Sequence, residues 1–248
     1  PDGTSLLVSA TMNGQSDIFL YHLQSKTFEQ ITKDIFDDQN PSFVYDGKYI
    51  AFSSNRISDT LTMSRETFIR DYSKNIEKSK YFSVFLYNYH TKSPILWRIT
   101  DESMYDAIYP TTFTNNSIQF LSNKNGIFNR YVGVLDSTIS HVDTVIHYKY
   151  FTTISPITDY VADIEEHYTN VSGDKISEIL YQNNEYSLFT YSTIKNTFKN
   201  SLMPTTFRKH TNSFITTESK ISVDSVFEEN KKQVYPIQPL DSGKIDIN

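Results

Sequence analysis

A glycine-led turn followed by a short apolar strand occurs twice near the start of the chain. The spacing of the two copies constrains the fold more than any other feature. Gly3 precedes Leu6-Leu7-Val8-Ser9-Ala10, and Gly47 precedes Ile50-Ala51-Phe52-Ser53-Ser54, about 44 residues later. Asp2 and Asp46 stand before the two glycines. Between the copies lie two more strand-like runs, residues 17–23 (DIFLYHL) and 27–32 (TFEQIT), each bounded by turn residues. Four short strands in about 40–45 residues is the arithmetic of a β-propeller blade. Such a unit cannot bury both of its faces alone, so stacking on neighbours, and finally closing the stack, is what covers them.

The same stretch carries a resemblance. Its motifs are DG-x-x-I-A-F-S-S-N-R from Asp46 to Arg56, N-G-x-S-D-I-F around Asp17, Q-I-T at residues 30–32, and D-D-x-x-P-x-F from Asp37 to Phe43 through Pro41. Together they resemble the WD40-like (PD40) repeat of TolB-type propellers. The match is specific over residues 1–56 and thinner beyond. The resemblance implies an all-β propeller of four-stranded antiparallel blades, six or more in number. In it, Arg56 looks like a structural residue tying neighbouring strands together, and Asp17 is similar. Four units are legible here, the lower limit of ~4–8 blades. The chain opens inside a blade motif without an initiating Met, so upstream blades completing the ring are expected.

Composition agrees with strands. The chain has 18 Tyr and 17 Phe but one Trp, and aromatic residues suit pleated, half-buried surfaces. With only 7 Gly, many tight turns must use Asn, Asp and Ser. A net charge of -6 and a pI near 5.5 argue against a nucleic-acid binder, which shows a basic face. Cysteine is absent, which excludes disulfide scaffolds, thiolate metal sites and cysteine nucleophiles. No run approaches the ~18–20 apolar residues of a membrane span. Ala is scarce beside Asn, Tyr, Ile and Lys, a usage that would fit the AT-rich genome of a Bacteroidota-like bacterium.

Later units are measured against the first. In the second, the strand at residues 49–54 is not followed promptly by its neighbour. Residues 57–81 intervene, polar and charged, with helical spacing at Leu61, Phe68 and Ile76. Then residues 83–87 (SVFLY) repeat DIFLY, and Arg98-Ile99-Thr100 repeats Gln30-Ile31-Thr32. An insertion therefore sits between two strands of one blade, and such loops fall on one propeller face and often carry function. Arg65, Phe68, Arg70 and Tyr72 within it are the candidate partner-binding residues. The third unit has Tyr109-Pro110 in place of Asn40-Pro41 and Asn115-Asn116 in place of Asp46-Gly47, with strands expected at 129–136 and 144–153. A weaker fourth unit, from 157 to about 197, has strands expected at 159–164, 176–181 and 186–193. The propeller is assigned to residues 1–199. From 200 to 248 the period stops, and Pro204, Pro236 and Pro239 read as a linker or extended arm towards a following domain. Within it, residues 213–217 could add a strand.

Residues with chemical potential form no catalytic pattern. His22, His90, His141, His147, His167 and His210 include no HExxH and no pair on one helical face. No GxSxG elbow, P-loop or GxGxxG is present. Neither a catalytic residue nor a cofactor is assigned. Asp34, Asp37 and Asp38 precede Pro41, and Asp101, Glu102 and Asp106 precede Pro110. Their recurrence at one blade position points to capping the turn into the next innermost strand; were they to line the channel, they could hold Ca²⁺ or another hard cation. Asn55-Arg56 and Asn123-Lys124 hold equivalent places. Asn170-Val171-Ser172 is a formal glycosylation acceptor.

The resemblance implies a non-enzymatic propeller acting as a protein-protein interaction platform. Its setting would be the bacterial cell envelope, in the periplasm or at the outer membrane, beside a peptidoglycan-associated or outer-membrane module. The rival is the substrate-gating propeller of a prolyl-oligopeptidase-like serine peptidase, with its catalytic domain outside this chain. A carbohydrate-binding or lyase propeller is a third reading, with no acid/base pair to recommend it.

Overall fold

The computed structural model describes residues 2–12, 14–61, 79–100, 104–114, 116–142, 146–170, 173–192 and 201–211. Its strands are β1 (Ser5–Met12), β2 (Gln15–His22), β3 (Thr27–Gln30), β4 (Asp38–Val44), β5 (Tyr49–Ser54), β6 (Ser83–Asn88), β7 (Leu96–Arg98), β8 (Ala107–Thr114), β9 (Ser117–Ser122), β10 (Asn129–Val142), β11 (Ile146–Pro156), β12 (Ile164–Thr169), β13 (Lys175–Gln182) and β14 (Glu185–Ser192). They form four antiparallel meanders: β1-β2-β3, β4-β5-β6-β7, β8-β9-β10-β11 and β12-β13-β14. The first sheet packs on the second through β1, β2 and β4, the second on the third through β4 and β8, and the third on the fourth through β8 and β12. This is the propeller arrangement the repeat implied.

The sequence repeat and the sheet are out of phase by one strand. The D-D-x-x-P-x-F run that closes the first repeat forms β4 and opens the second sheet. Each repeat therefore ties two sheets together covalently.

Strand alternation explains why the middle strands are apolar throughout. Successive residues of a strand point to opposite faces. In β5 and β6, Ile50, Phe52, Phe85 and Tyr87 pack with Ile18 of the first sheet. Their neighbours Ala51, Val84 and Leu86 pack with Ala107, Ile118, Phe120 and Tyr131 of the third. Each fully buried side chain of this size contributes about 1.5–3 kcal/mol, so a polar replacement on either face loosens a joint. The joint between the third and fourth sheets is different. Beside Ile164 and Ile176 it buries Gln119 against Thr169, Arg130 against Glu178, and His167.

Turn chemistry follows the scarcity of glycine. Tyr45 and Asp46 take φ of 52° and 55° ahead of Gly47, and Asn183-Asn184 closes the β13–β14 hairpin at 54° and 66°. Two left-handed residues in a two-residue loop is the type I′ geometry, whose twist matches that of the strands. Asn40 and Tyr109, each before proline, also take positive φ, 51° and 53°. There the register of β4 on β5 and of β8 on β9 slips. Proline cannot donate to the ladder and is accommodated at a bulge, which is where Pro41 and Pro110 lie.

Three expectations are corrected. The strand expected at 159–164 is β12 at Ile164–Thr169, because Ile157-Thr158 ends the third unit and 159–163 is a connection. The first strand of the β10–β11 hairpin runs on past 136 to Val142, and the second spans Ile146–Pro156 rather than 144–153. The arm expected from residue 200 begins instead with a docked segment, helical over 206–211. The rest of that arm, with 213–217, lies outside the described residues.

Candidate functional site: the latches at one end of the stack

All connections from an outermost strand to the next innermost strand lie at one end of the stack. So do the β5–β6 and β9–β10 loops, and the two kinds of loop are bonded to each other. The smallest element is a threonine. Ile18 of β2, Val84 of β6 and Arg130 of β10 lie near the start of their strands, and their N–H groups donate to Thr32, Thr100 and Thr158 Oγ1 at 2.9, 2.9 and 2.8 Å. The carbonyls of the same residues accept from Ile31, Ile99 and Ile157 N–H. The Ile-Thr pair thus folds the chain over the end of its own sheet and satisfies backbone groups that have left the ladder.

An aspartate then reaches the preceding sheet. Asp37, Asp106 and Asp163 Oδ1 accept the N–H of Ser16, Phe82 and Phe128 at 3.3, 3.0 and 2.6 Å. An asparagine holds two of these aspartates. Asn55 Oδ1 accepts from Asp37 N–H at 2.8 Å and its amide donates to Asp37 Oδ2 at 3.0 Å. Asn123 makes the same pair to Asp106, at 2.9 and 3.4 Å.

Arg56 completes the latch between the first two sheets. It is 1 % exposed, and each guanidinium nitrogen is engaged. Nε donates to Ser54 Oγ at 3.0 Å and Nη1 to the Thr60 carbonyl at 3.1 Å, with Asp34 Oδ2 also 3.1 Å away. Nη2 donates to both Asp38 oxygens, at 2.8 and 2.7 Å. The guanidinium carbon lies 5.4–5.8 Å from the ring centres of Phe36, Phe52 and Phe85, so the charge is held among aromatic rings.

Three carboxylates share that one cation. Asp17 receives only long bonds, from Gln30 Nε2 at 3.2 Å and Thr32 Oγ1 at 3.4 Å. Burial, reinforced by Asp38, pushes Asp17 up to about 6. Burial also pushes Asp34 up to about 6, against the opposing pull of Arg56. A buried excess of negative charge is relieved by holding protons.

Further along, Arg130 Nη2 meets Glu178 and the Tyr191 hydroxyl, and Tyr160 donates to Glu178 at 2.8 Å. His167 Nε2 donates to the Tyr109 carbonyl at 2.6 Å. Its burial holds the ring down at about 3, hence neutral.

The motif residues fall into three places. Asp17, Asn55 and Arg56 are in the first latch. Pro41 and Pro110 sit in the bulges of the innermost strands. Asp2, Gly3, Asp46 and Gly47 form turns, Asp2 accepting from Thr4 N–H at 3.0 Å. Asp34 and Asp38 are buried against Arg56 rather than lining a channel, which removes the geometry on which a cation there depended. Among the described residues no group of three or more His, Asp or Glu is arranged to hold a metal. Asp101 and Glu102, with Arg65, Phe68, Arg70 and Tyr72, lie outside the described residues. Of the histidines, His22 faces Ser5 Oγ and Glu29 at the strand edge, at 3.2 and 3.7 Å. His90 is in the β6–β7 turn, His141 is exposed in β10, and His210 is in the 206–211 helix.

Sequence reasoning missed Thr158, Glu178 and Arg208. The signal for Thr158 was present, since Ile157-Thr158 repeats Ile31-Thr32 and Ile99-Thr100. Arg208 lies outside any repeat, so no spacing could have found it.

No family model and no curated protein matches the chain by sequence. Solved structures do match by fold. TolB from Acinetobacter baumannii is 17% identical with a TM-score of 0.50, covering 77% of this chain and 39% of that one. The putative TolB from Agrobacterium tumefaciens is 16% identical with a TM-score of 0.53, covering 80% of this chain and 61% of that one. The chain spans less than two thirds of the length of either. The fold is that of a TolB-like propeller.

Proposed function

We propose that the chain is a non-enzymatic propeller that presents one end of its stack to a protein partner in the bacterial cell envelope, periplasmic or outer-membrane-associated. The observation that carries this reading is the latch end itself. Its connections are pinned by buried polar bonds, yet it exposes Met104, Val161, Met203 and Phe207, at 41%, 95%, 79% and 72%. Monomeric surfaces that group apolar side chains mark interaction sites. The 57–81 insertion leaves from the same end, since Asn55 and Ser79 are bonded there. The likeness to TolB structures supports an interaction role by fold alone, an associational warrant.

The test is site-specific photo-crosslinking in the full chain within cells. Probes at Met104, Val161 and Met203 report the latch end, and probes at Asp46 and Lys92 report the opposite end. Adducts to one protein from the latch end only are expected. Adducts from the opposite end alone, or from neither, overturn the reading. A GxSxG with a later Asp and His after Asn248 in the gene would replace it with the peptidase-gating one.

A further inference from the structure

The second and third sheets carry the same latch up to one point, and there they part. Asn55 and Asn123 hold Asp37 and Asp106 in the same way. Arg56 lies over the Phe36 ring at 5.5 Å, and Lys124 lies over the Tyr105 ring at 5.3 Å. Lys124 is therefore the positional counterpart of Arg56, and Tyr105 of Phe36. Counting one residue on from Asp37 and Asp106, Asp38 is matched by Ala107. Both halves of the Arg56–Asp38 pair are thus missing from the third sheet. A lysine also lacks the planar fork that engages three acceptors at once.

A guanidinium nevertheless arrives at the same loops, from elsewhere in the chain. Arg208, 6 % exposed, donates through Nη1 to the Met104 carbonyl at 2.8 Å. Its Nη2 donates to the Asn123 carbonyl at 2.6 Å and to Asn123 Oδ1 at 3.3 Å. It bridges the β7–β8 connection to the β9–β10 loop, as Arg56 bridges the β3–β4 connection to the β5–β6 loop. The segment that brings it is seated by other contacts. Thr205 N–H donates to the Asn125 carbonyl at 2.8 Å, and Leu202 packs on the core shared by the second and third sheets. Gly126, at φ +101°, leaves the room: a Cβ there would meet Thr205 Oγ1 at 2.2 Å.

We propose that residues 201–211 are a clasp, supplying through Arg208 the latch that the third sheet lost with Ala107 and Lys124. The clasp binds backbone and amide carbonyl oxygens rather than carboxylates, so it completes the sheet without adding acid groups to the joint. It also fixes the chain beyond β14 to the third sheet, one sheet back along the stack. The boundary between propeller and arm then falls after Thr211 and not at residue 200.

The test is a two-background comparison in the full chain, read by thermal unfolding and amide hydrogen exchange. Arg208→Ala is expected to lower Tm by about 5 °C, the scale for losing charge-assisted bonds in a domain of this size. It should also speed exchange at Gly126 and Thr205 N–H at least tenfold. In the background Ala107→Asp with Lys124→Arg, which rebuilds the second-sheet pair, the same Arg208→Ala change is expected to cost less than half as much. An equal fall in both backgrounds overturns the proposal, as does unchanged exchange at Gly126 and Thr205 in Arg208→Ala. Should the rebuilt background fail to fold, the exchange measurement decides by itself.

Discussion

Replacing Arg56 by methionine separates the electrostatic from the packing role of the first latch. Methionine fills much of the same space among Phe36, Phe52 and Phe85 but leaves Asp34 and Asp38 facing no cation. Removing one partner of a buried ion pair costs about 3–5 kcal/mol. For a domain of this size each kcal/mol moves Tm by about 2–4 °C, so at pH 8 a fall of roughly 6–20 °C is expected. The pH dependence then identifies the cause. Asp17 and Asp34 are held at about 6, above the 3.8 of the unfolded chain. A carboxyl whose folded pKa is raised binds its proton more tightly when folded. Its contribution is therefore fully present below about pH 4 and lost as pH rises through about 6. At pH 5 these groups are mostly protonated, and the penalty in Arg56→Met should shrink to less than half. The assay is thermal unfolding followed by circular dichroism, wild type and variant, at pH 5 and pH 8. An equal loss at both pH values would refute the charge argument and leave packing as the whole effect.

The threonine of the Ile-Thr pair is expected to matter for its hydroxyl: Thr100→Val should cost about 1–3 kcal/mol while Thr100→Ser costs less than half of that, measured by urea unfolding. His167, held at about 3 against 6.5, gives the opposite pH slope to the acid cluster, because a depressed histidine stabilises above about pH 6.5 and loses that contribution as pH falls towards 3. His167→Gln should therefore unfold less readily on acidification from pH 6 to pH 4, relative to its own stability at neutral pH. Deleting residues 62–78 with a short turn should leave cooperative unfolding intact. Deleting 57–81 should weaken it, since that removes the Thr60–Ile95 bridge and the Thr60 carbonyl that Arg56 binds.

The sheets were legible because strand periodicity and turn chemistry are local. DIFLYHL and SVFLYNY read as strands covered on both faces; β6 is buried from Ser83 to Tyr87, whereas in β2 Ile18 and Leu20 are buried and Phe19 and Tyr21 only partly so, because the first sheet packs on the second alone among the described residues. The glycine and asparagine turns were legible for the same reason: a left-handed backbone leaves a short choice of residues. Arg56 stood out through the resemblance, but its carboxylate partners could be sorted only in three dimensions. Asp34 and Asp38 turn to the guanidinium, whereas Asp37, between them, turns to Asn55 and Ser16. The first strand of the fourth unit starts five residues later than the spacing predicts, because the bonds of Ile157-Thr158 make that pair the end of the third unit. The polar joint of Arg130, Glu178 and Tyr191 joins residues 48 and 61 apart, and Arg208 reaches 85 and 104 residues back. Such distances leave no periodic trace. The exposed apolar side chains at the latch end were equally silent, since a lone Val or Met in a loop has no pattern until the loops are brought side by side.

Amide hydrogen exchange on the full chain tests most directly whether one recurring latch folds the chain over the end of each of the first three sheets. Ile18, Val84 and Arg130 donate to Thr32, Thr100 and Thr158 rather than to a ladder partner at that position. All three amides are expected to exchange as slowly as the central strand amides of β5 and β9. Exchange at those three positions as fast as in the hairpin turns at Lys26 and Lys92 would contradict a recurring latch.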